Sequence, residues 1–253
     1  MSMKWTAPVR SAALLVAALM IGCGGAESNS PQRAVEAANG TAELAADGGE
    51  ERAPKADAAA GTVLFIGTSL TAGLGLPEAQ SFPLLIERRI DAAGLPFDVV
   101  NAGVSGETSA GALRRIDWLL RQDFDVVVLE TGANDMLRGI DPASTESNIQ
   151  AIIDRIRDAR PDVEIVLAGM RSLPNMGADY ARAFEAIYPR LAERNDLPFV
   201  PFLLEGVGGV RELNQSDGVH PNAEGHRVIA DTVWQVLEPV LTRAAAGNDS
   251  ATE

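Results

Sequence analysis

The stretch Val63-Leu64-Phe65-Ile66-Gly67-Thr68-Ser69-Leu70 decides the fold, because an uninterrupted apolar run passes directly into a glycine and two hydroxyl residues. A continuous apolar run that ends in a turn is typical of a strand buried on both faces, as in a parallel sheet. Ligands of such sheets bind in the crevice beyond the carboxyl ends of the strands. Ser69 follows this end of the predicted strand, so its hydroxyl is a candidate nucleophile.

The rest of the same region alternates between strand and helix patterns. Further apolar runs occur at Phe97–Val100, Val126–Leu129, Ile165–Ala168 and Phe199–Phe202. Helical patterns occur at Phe82–Ala93, Ser109–Arg121, Ser147–Ala159 and Tyr180–Arg194, and an amphipathic segment follows Pro221. This alternation predicts an α/β fold, a three-layer α/β/α sandwich with a five-stranded parallel sheet of flavodoxin-like type.

The first residues have the features of an export signal. Lys4 and Arg10 precede an apolar stretch from Ala12 to Ile21, which is shorter than the roughly 20 residues of a transmembrane helix. We therefore expect residues 1–22 to be a signal peptide. Cys23 directly follows and is the only cysteine of the chain, so an intrachain disulfide is excluded.

The position of Cys23 resembles the lipobox of bacterial lipoproteins, although Met20 stands where leucine is usual. The resemblance implies lipidation of Cys23 and a periplasmic or outer-membrane-anchored lipoprotein that is secreted across the inner membrane. Gly24 after the cysteine, rather than aspartate, favours the outer membrane. An ordinary signal peptide with an incidental cysteine is the alternative.

Composition divides the remainder of the chain into three parts. Residues 23–60 are rich in Ala, Gly, Glu and Asp and contain no aromatic residue, so we expect a lipid-anchored disordered linker. Residues 61–243 have the size of one domain with a full core. Residues 244–253 are expected to be a disordered tail.

Charge and metal-binding patterns limit the possible partners. The formal net charge of -14 argues against nucleic acid as a partner. No group of His, Cys and acidic residues has the spacing of metal ligands, so we expect neither a metal nor a cofactor. We expect a monomer that contacts the membrane only through the N-terminal lipid.

A second segment, Asp217-Gly218-Val219-His220-Pro221, supplies the groups that a serine nucleophile needs. The chain has only two histidines, and His220 lies three residues after Asp217. A histidine can take the proton of the serine while the carboxylate orients the imidazole. The other histidine, His226, falls within the final helical pattern, where we expect a structural or solvated role.

Two further loops follow predicted strands: Asn101-Ala102-Gly103-Val104-Ser105-Gly106-Glu107-Thr108 and Glu130-Thr131-Gly132-Ala133-Asn134-Asp135. With the segments around Ser69 and His220, these loops make the chain resemble the SGNH (GDSL-type) hydrolases, with all four sequence blocks in order. The segments Phe184–Pro189 and Pro201–Leu204 are similar to the bacterial arylesterase, thioesterase I and lysophospholipase L1 branch of that family.

The resemblance implies a role for each matching residue. Ser69 would be the nucleophile, His220 the general base and Asp217 its orienting acid. The backbone N–H groups of Ser69 and Gly106 and the side-chain amide of Asn134 would form the oxyanion hole. The implied activity is that of a serine esterase acting on carboxylic esters or thioesters through an acyl-enzyme on Ser69. The substrates of the branch are small esters, thioesters and lysolipids.

One residue departs from the family pattern: Thr68 stands before the nucleophile where aspartate is usual. Threonine can still hydrogen-bond the backbone of the loop, but it carries no charge. Glu107 and Asp135 adjoin the site and are expected to be solvated or to cap helices. The nucleophile elbow of α/β-hydrolases does not fit, because it needs glycine at the position of Thr71.

Three alternatives remain open at this point. The first is a carbohydrate O-deacetylase of the same fold. The second is a non-catalytic, flavodoxin-like binding module that kept the pocket without turnover. The third is that Ser69 is an ordinary turn residue whose hydroxyl only satisfies backbone groups.

Overall fold

The computed structural model describes residues 61–250, with side chains up to residue 247. The expected signal peptide, the expected linker and Cys23 lie outside the described residues, as do residues 251–253.

A single parallel sheet of five strands forms the centre of the domain, in the order β2-β1-β3-β4-β5. The strands are β1 (Gly61–Gly67), β2 (Phe97–Gly103), β3 (Val126–Glu130), β4 (Glu164–Ala168) and β5 (Phe199–Val200). In β1, Val63 pairs with Val99 of β2 on one side and with Val126 of β3 on the other. The apolar residues of β1 and β3 are at most 1% exposed, as continuous apolar strands predict.

Helices cover both faces of the sheet. They are α1 (Ser69–Ala72), α2 (Phe82–Ala92), α3 (Ser109–Leu119), α4 (Ala133–Leu137), α5 (Pro142–Ala159), α6 (Ala178–Glu185), α7 (Ile187–Asn195) and α8 (Ala223–Ser250). On one face α2 packs against α8, and on the other α3 and α7 pack against α5. The prediction of a three-layer α/β/α sandwich with a five-stranded parallel sheet is therefore confirmed.

Proline explains where several boundaries differ from the sequence prediction. The predicted helix Tyr180–Arg194 is two helices, because Pro189 has no N–H to donate to the carbonyl of Glu185. Pro201 ends β5 after Val200 for the same reason, since it cannot donate to the strand ladder. Helix α5 starts earlier than predicted, with Pro142 in its first turn and the Asp141 side chain accepting from the N–H of Ala143.

The expected tail is wrong over its first part. Helix α8 continues to Ser250 instead of ending near residue 243, since the run of alanines at 244–246 favours a helix. Among the described residues, no helix is long and apolar enough to span a membrane.

The strand order creates a switch point between β1 and β3. The connection from β1 runs outward to β2, whereas the later strands add on the other side of β1. In open sheets of this order, the loops beyond the carboxyl ends of the two central strands part at the switch point and form a crevice. The loops that begin at Thr68 and Thr131 both leave the sheet there.

Candidate active site

The nucleophile candidate lies in a sharp turn between β1 and α1. Thr68 has an extended backbone, α1 begins at Ser69, and Gly73 ends that helix with a φ of +69°. Ser69 is 8% exposed. Gly67 is required here, because an added Cβ would lie 1.9 Å from the Thr71 hydroxyl oxygen. The turn is thus packed closely beneath Ser69.

The structure joins the three predicted residues Ser69, His220 and Asp217 by hydrogen bonds. The Nε2 atom of His220 lies 3.0 Å from the Ser69 Oγ. Its Nδ1 atom lies 2.6 Å from Oδ2 of Asp217. With Nδ1–H donating to the carboxylate, Nε2 is left as the acceptor for the serine proton.

The loop that carries the histidine is shaped by Asp217 itself. Its Oδ1 atom accepts the N–H groups of Val219 at 2.9 Å and of His220 at 3.0 Å. Gly218 between them has a φ of +70°, a conformation that glycine adopts without strain. The bond from the His220 side chain and these two backbone bonds hold the pKa of Asp217 below its ordinary value. The carboxylate is therefore ionised at neutral pH.

Gln215 connects this loop to the nucleophile turn. Its side-chain amide nitrogen donates to the carbonyl of Leu74 at 2.7 Å and to that of Pro221 at 3.0 Å. Its backbone N–H donates to the carbonyl of His220 at 2.7 Å. The two segments are therefore held together by bonds besides the one between His220 and Ser69.

The three predicted oxyanion donors line the same cleft as His220. Gly106 has a φ of +78°, so only glycine takes this backbone conformation readily. The Asn134 amide nitrogen donates one bond, at 3.0 Å, to the carbonyl of Glu107. Since an amide nitrogen carries two hydrogens, the other remains able to donate into the cleft.

The expectation that Glu107 is solvated or caps a helix is wrong. Its side chain is 9% exposed and pairs with Arg115, whose Nε lies 2.8 Å from Oε1. The Nη2 of Arg115 also donates to the carbonyl of Ala102 at 2.8 Å. Because Arg115 reaches both β2 and the loop, this ion pair fixes the segment that carries Gly106. Glu107 and Arg115 are eight residues apart in the chain, and this spacing matches no sequence pattern that would predict the ion pair.

Asp135 is buried, which corrects the expectation of a solvated side chain, although it does cap a helix. Its carboxylate accepts the N–H of Ser109, the first residue of α3, at 2.8 Å. It also accepts the hydroxyls of Ser109 and Thr145. Asp135 thus connects α4, which carries Asn134, to α3 and α5.

Thr68 contacts a residue that sequence reasoning missed. Its hydroxyl donates to the side chain of Glu130, 3.0 Å away, and not to the loop backbone. Glu130 is fully buried at the end of β3. A single acidic residue after an apolar strand is usually a loop residue, so the sequence offered no sign of this contact.

His226 does not join the hydrogen-bonded series of Asp217, His220 and Ser69, in agreement with the structural role expected for it. It is 1% exposed, and its Nδ1 accepts the N–H of Phe82 at the start of α2. The two rings are stacked at 6.2 Å. Burial, with a smaller contribution from the charge of His220, lowers the pKa of His226 to about 4.

The cleft above Ser69 has a volume of about 550 Å³, within the range of small-molecule sites. Its lining is mainly apolar, and among the described residues there, only Arg171 and His220 have titratable side chains. The apolar lining consists of Leu70, Leu74, Met136, Leu137, Met170, Leu173, Phe202, Leu204 and Val219, with small residues between them. No group of His, Cys, Asp and Glu among residues 61–250 could hold a metal ion.

Comparison with known proteins gives a consistent result. The GDSL-like lipase/acylhydrolase family matches residues 65–228. The chain is 39% identical to the esterase TesA of Pseudomonas aeruginosa, over 73% of this chain and 91% of that protein. It is 37% identical to thioesterase 1/protease 1/lysophospholipase L1 of Escherichia coli, over 73% and 86% of the two chains.

A solved structure supports the same relationship. The psychrotrophic esterase EstA from Pseudoalteromonas, in a form inhibited by monoethylphosphonate, superposes with a TM-score of 0.68 at 31% identity. The alignment covers 72% of this chain and 99% of that one. The chain therefore belongs to the GDSL-like lipase/acylhydrolase family and is an SGNH-type serine ester hydrolase.

Proposed function

We propose that this protein hydrolyses esters or thioesters with an apolar acyl or aryl group, through an acyl-enzyme on Ser69. The observation that carries the proposal is the continuous hydrogen-bonded series from Asp217 through His220 to Ser69, which ends in an apolar cleft. A non-catalytic binding module has no need of this series, so the geometry favours an enzyme.

The first half of the reaction forms the acyl-enzyme. His220 Nε2 takes the proton of the Ser69 hydroxyl as Oγ attacks the substrate carbonyl carbon. The carbonyl electron pair moves onto oxygen, where the N–H groups of Ser69 and Gly106 and the amide of Asn134 donate to it. As the tetrahedral intermediate collapses, His220 returns the proton to the departing alcohol or thiol.

The second half repeats these steps with water. His220 takes a proton from water, whose oxygen attacks the acyl carbon, and the same three donors stabilise the second oxyanion. The bond to Ser69 Oγ then breaks, and His220 delivers the proton to Oγ, so that the acid leaves and the hydroxyl is regenerated. Asp217 keeps its charge throughout and stabilises the imidazolium that forms twice in each cycle.

The composition of the cleft supports an apolar substrate. Four of the large apolar side chains that are exposed, namely Leu74, Leu137, Leu173 and Val219, lie in its lining. An acyl chain bound there would remove both its own surface and theirs from water, at about 25 cal/mol per Å². A sugar ring would instead need several hydrogen-bonding side chains. The apolar ester hydrolase is thus favoured over the carbohydrate O-deacetylase.

A p-nitrophenyl ester series tests this proposal. With residues 61–253, kcat/KM should rise from the acetate to the hexanoate and octanoate, and Ser69→Ala should have no activity above background. Acetylated xylan, offered in parallel, should be a poor substrate. A preference for acetate together with rapid xylan deacetylation would instead indicate the deacetylase.

The location of the enzyme forms a separate proposal. We propose that it is exported and anchored by a lipid on Cys23, so that it works in the periplasm or at the outer membrane as a monomer. Support comes from the Ala12–Ile21 apolar stretch, the single cysteine after Gly22 and the aromatic-free segment that follows.

A further inference from the structure

Glu130 is a buried carboxyl group that the proposed reaction does not use. Its side chain accepts the backbone N–H of Thr68 at 2.7 Å, the Thr68 hydroxyl at 3.0 Å and the Thr71 hydroxyl at 2.9 Å. Within residues 61–250 it forms no ion pair. Burial raises the pKa of Glu130, and the bonds from the two threonines oppose that rise.

These donors lie on both sides of the nucleophile candidate. Thr68 immediately precedes Ser69, and Thr71 follows two residues later, within the same short helix. Gly67 leaves the space that the carboxyl group occupies, because an added Cβ would lie 2.7 Å from its Oε2. Glu130 of β3 therefore accepts hydrogen bonds from two residues of the turn after β1, Thr68 and Thr71, and Ser69 lies between them.

A buried carboxyl group without a cation is unfavourable, and an apolar side chain would fill the end of β3 without that penalty. Its bonds go to the turn that presents Ser69, at Thr68 and at Thr71 in the first turn of α1. We propose that Glu130, Thr68 and Thr71 form a positioning cluster, which holds the hydroxyl and the N–H of Ser69 in their reactive orientation. This inference rests on the proposed function.

Thr68, the residue that departs from the family pattern, is chemically suited to contact Glu130. An aspartate at this position would place a second carboxyl group beside Glu130, and two such groups in contact cannot both ionise readily. Threonine instead donates its hydroxyl to the carboxyl group. Thr68 is therefore complementary to Glu130.

If the cluster positions Ser69, loss of its hydrogen bonds should change the kinetics in a way that a merely space-filling role would not. None of the three side chains touches the substrate in the proposed reaction, so their loss leaves KM nearly unchanged. A small rotation of the turn would misalign Oγ with His220 and move the Ser69 N–H away from the oxyanion, and both effects lower kcat.

Paired variants of each threonine distinguish positioning of Ser69 by the hydroxyl from simple filling of space by the side chain. Thr71→Val keeps the shape and removes the hydroxyl, whereas Thr71→Ser keeps the hydroxyl and removes a methyl group. We expect Thr71→Val to lower kcat about tenfold with KM within about twofold of wild type, as for the loss of one hydrogen bond, and Thr71→Ser to stay near wild type. Thr68→Val and Thr68→Ser should differ in the same way.

A double-mutant cycle tests whether the threonines act through the carboxyl group. In a Glu130→Leu background, Thr71→Val should lower kcat no further, because its partner is already absent. All kcat values are expressed per active site titrated with a p-nitrophenyl phosphonate, so that loss of folded protein does not count as loss of catalysis. If Glu130→Leu does not fold, the comparison of valine with serine at Thr68 and at Thr71 decides whether the cluster positions Ser69.

The outcomes distinguish this inference from the proposed function. If both valine variants match wild type, or the serine variants are the more impaired, the positioning cluster is wrong while the enzyme assignment stands. If the wild type hydrolyses esters but does not react with the phosphonate, the proposed acyl-enzyme on Ser69 is contradicted, and with it the proposed function.

Discussion

His220 Nε2 lies 3.0 Å from Ser69 Oγ although 151 positions separate the two residues in the chain. Ser69 follows the first strand, whereas His220 lies on the loop before the last helix. The sheet brings both to its carboxyl edge, so the site exists only when the whole domain is folded.

The two histidines should differ sharply on substitution. His220→Ala removes the proposed base, which contacts Ser69 Oγ, and should lower kcat by about 10⁴-fold or more. His226→Gln should leave kcat nearly unchanged, because its ring contacts Phe82 and lies apart from the triad. Steady-state hydrolysis of a p-nitrophenyl ester measures kcat for both variants. A larger loss in His226→Gln than in His220→Ala would contradict the assignment of His220 as the general base.

Asn134 should act mainly on turnover. Its proposed bond to the substrate oxygen strengthens as charge develops, and removing one such donor typically lowers kcat by about 10²–10³-fold. We expect this loss in Asn134→Ala with KM nearly unchanged, and slower phosphonate labelling as well. Asn134→Asp should be worse, because a carboxylate repels the oxyanion. A rise in KM alone would make Asn134 a substrate-positioning residue.

His226 should make the fold sensitive to acid. In the unfolded chain its pKa is near 6.5, whereas in the folded protein burial lowers the pKa to about 4. Between these values the unfolded chain binds the extra proton, so the free energy of unfolding falls as pH drops from 6.5 towards 4, by up to about 1.4 kcal/mol per pH unit. Urea unfolding at several pH values gives the free energy of unfolding of the wild type and of His226→Gln. The gap between the two proteins should change with pH below about 6.5 and should be constant above pH 7. Parallel pH dependence in the two proteins would contradict it.

Cys23→Ser should change location and leave chemistry intact. The full-length chain expressed in a Gram-negative host should fractionate with membranes, and the variant should be released in soluble form with the same kcat. Fractionation on a density gradient with an ester assay measures both properties. A variant that stays in the membrane fraction would contradict a single lipid anchor.

The sequence predicted the architecture well because continuous apolar strands such as Val63–Ile66 carry a strong signal. Helix ends were less predictable. The division at Ala186 depends on Pro189, whose effect competes with an otherwise unbroken helical pattern. The extension of α8 to Ser250 was missed because a run of small residues can be either helical or disordered.

At the site, the motifs were enough to name the residues that touch one another, but not those that support them. Ser69, Asp217 and His220 lie in short motifs with fixed spacing, so local sequence was informative. Glu130 and Thr71 are 59 positions apart and meet through the pairing of β1 with β3. Contacts of this kind depend on the register of the sheet, which a single sequence does not reveal.

The most direct test of the account is covalent labelling with a p-nitrophenyl phosphonate, followed by intact-mass measurement and peptide mapping. We predict one phosphonyl group per wild-type chain, attached to Ser69, slower labelling in His220→Ala and none in Ser69→Ala. An adduct on another residue, a labelled Ser69→Ala protein, or an unlabelled wild type that still hydrolyses esters would contradict the assignment of Ser69 as the nucleophile.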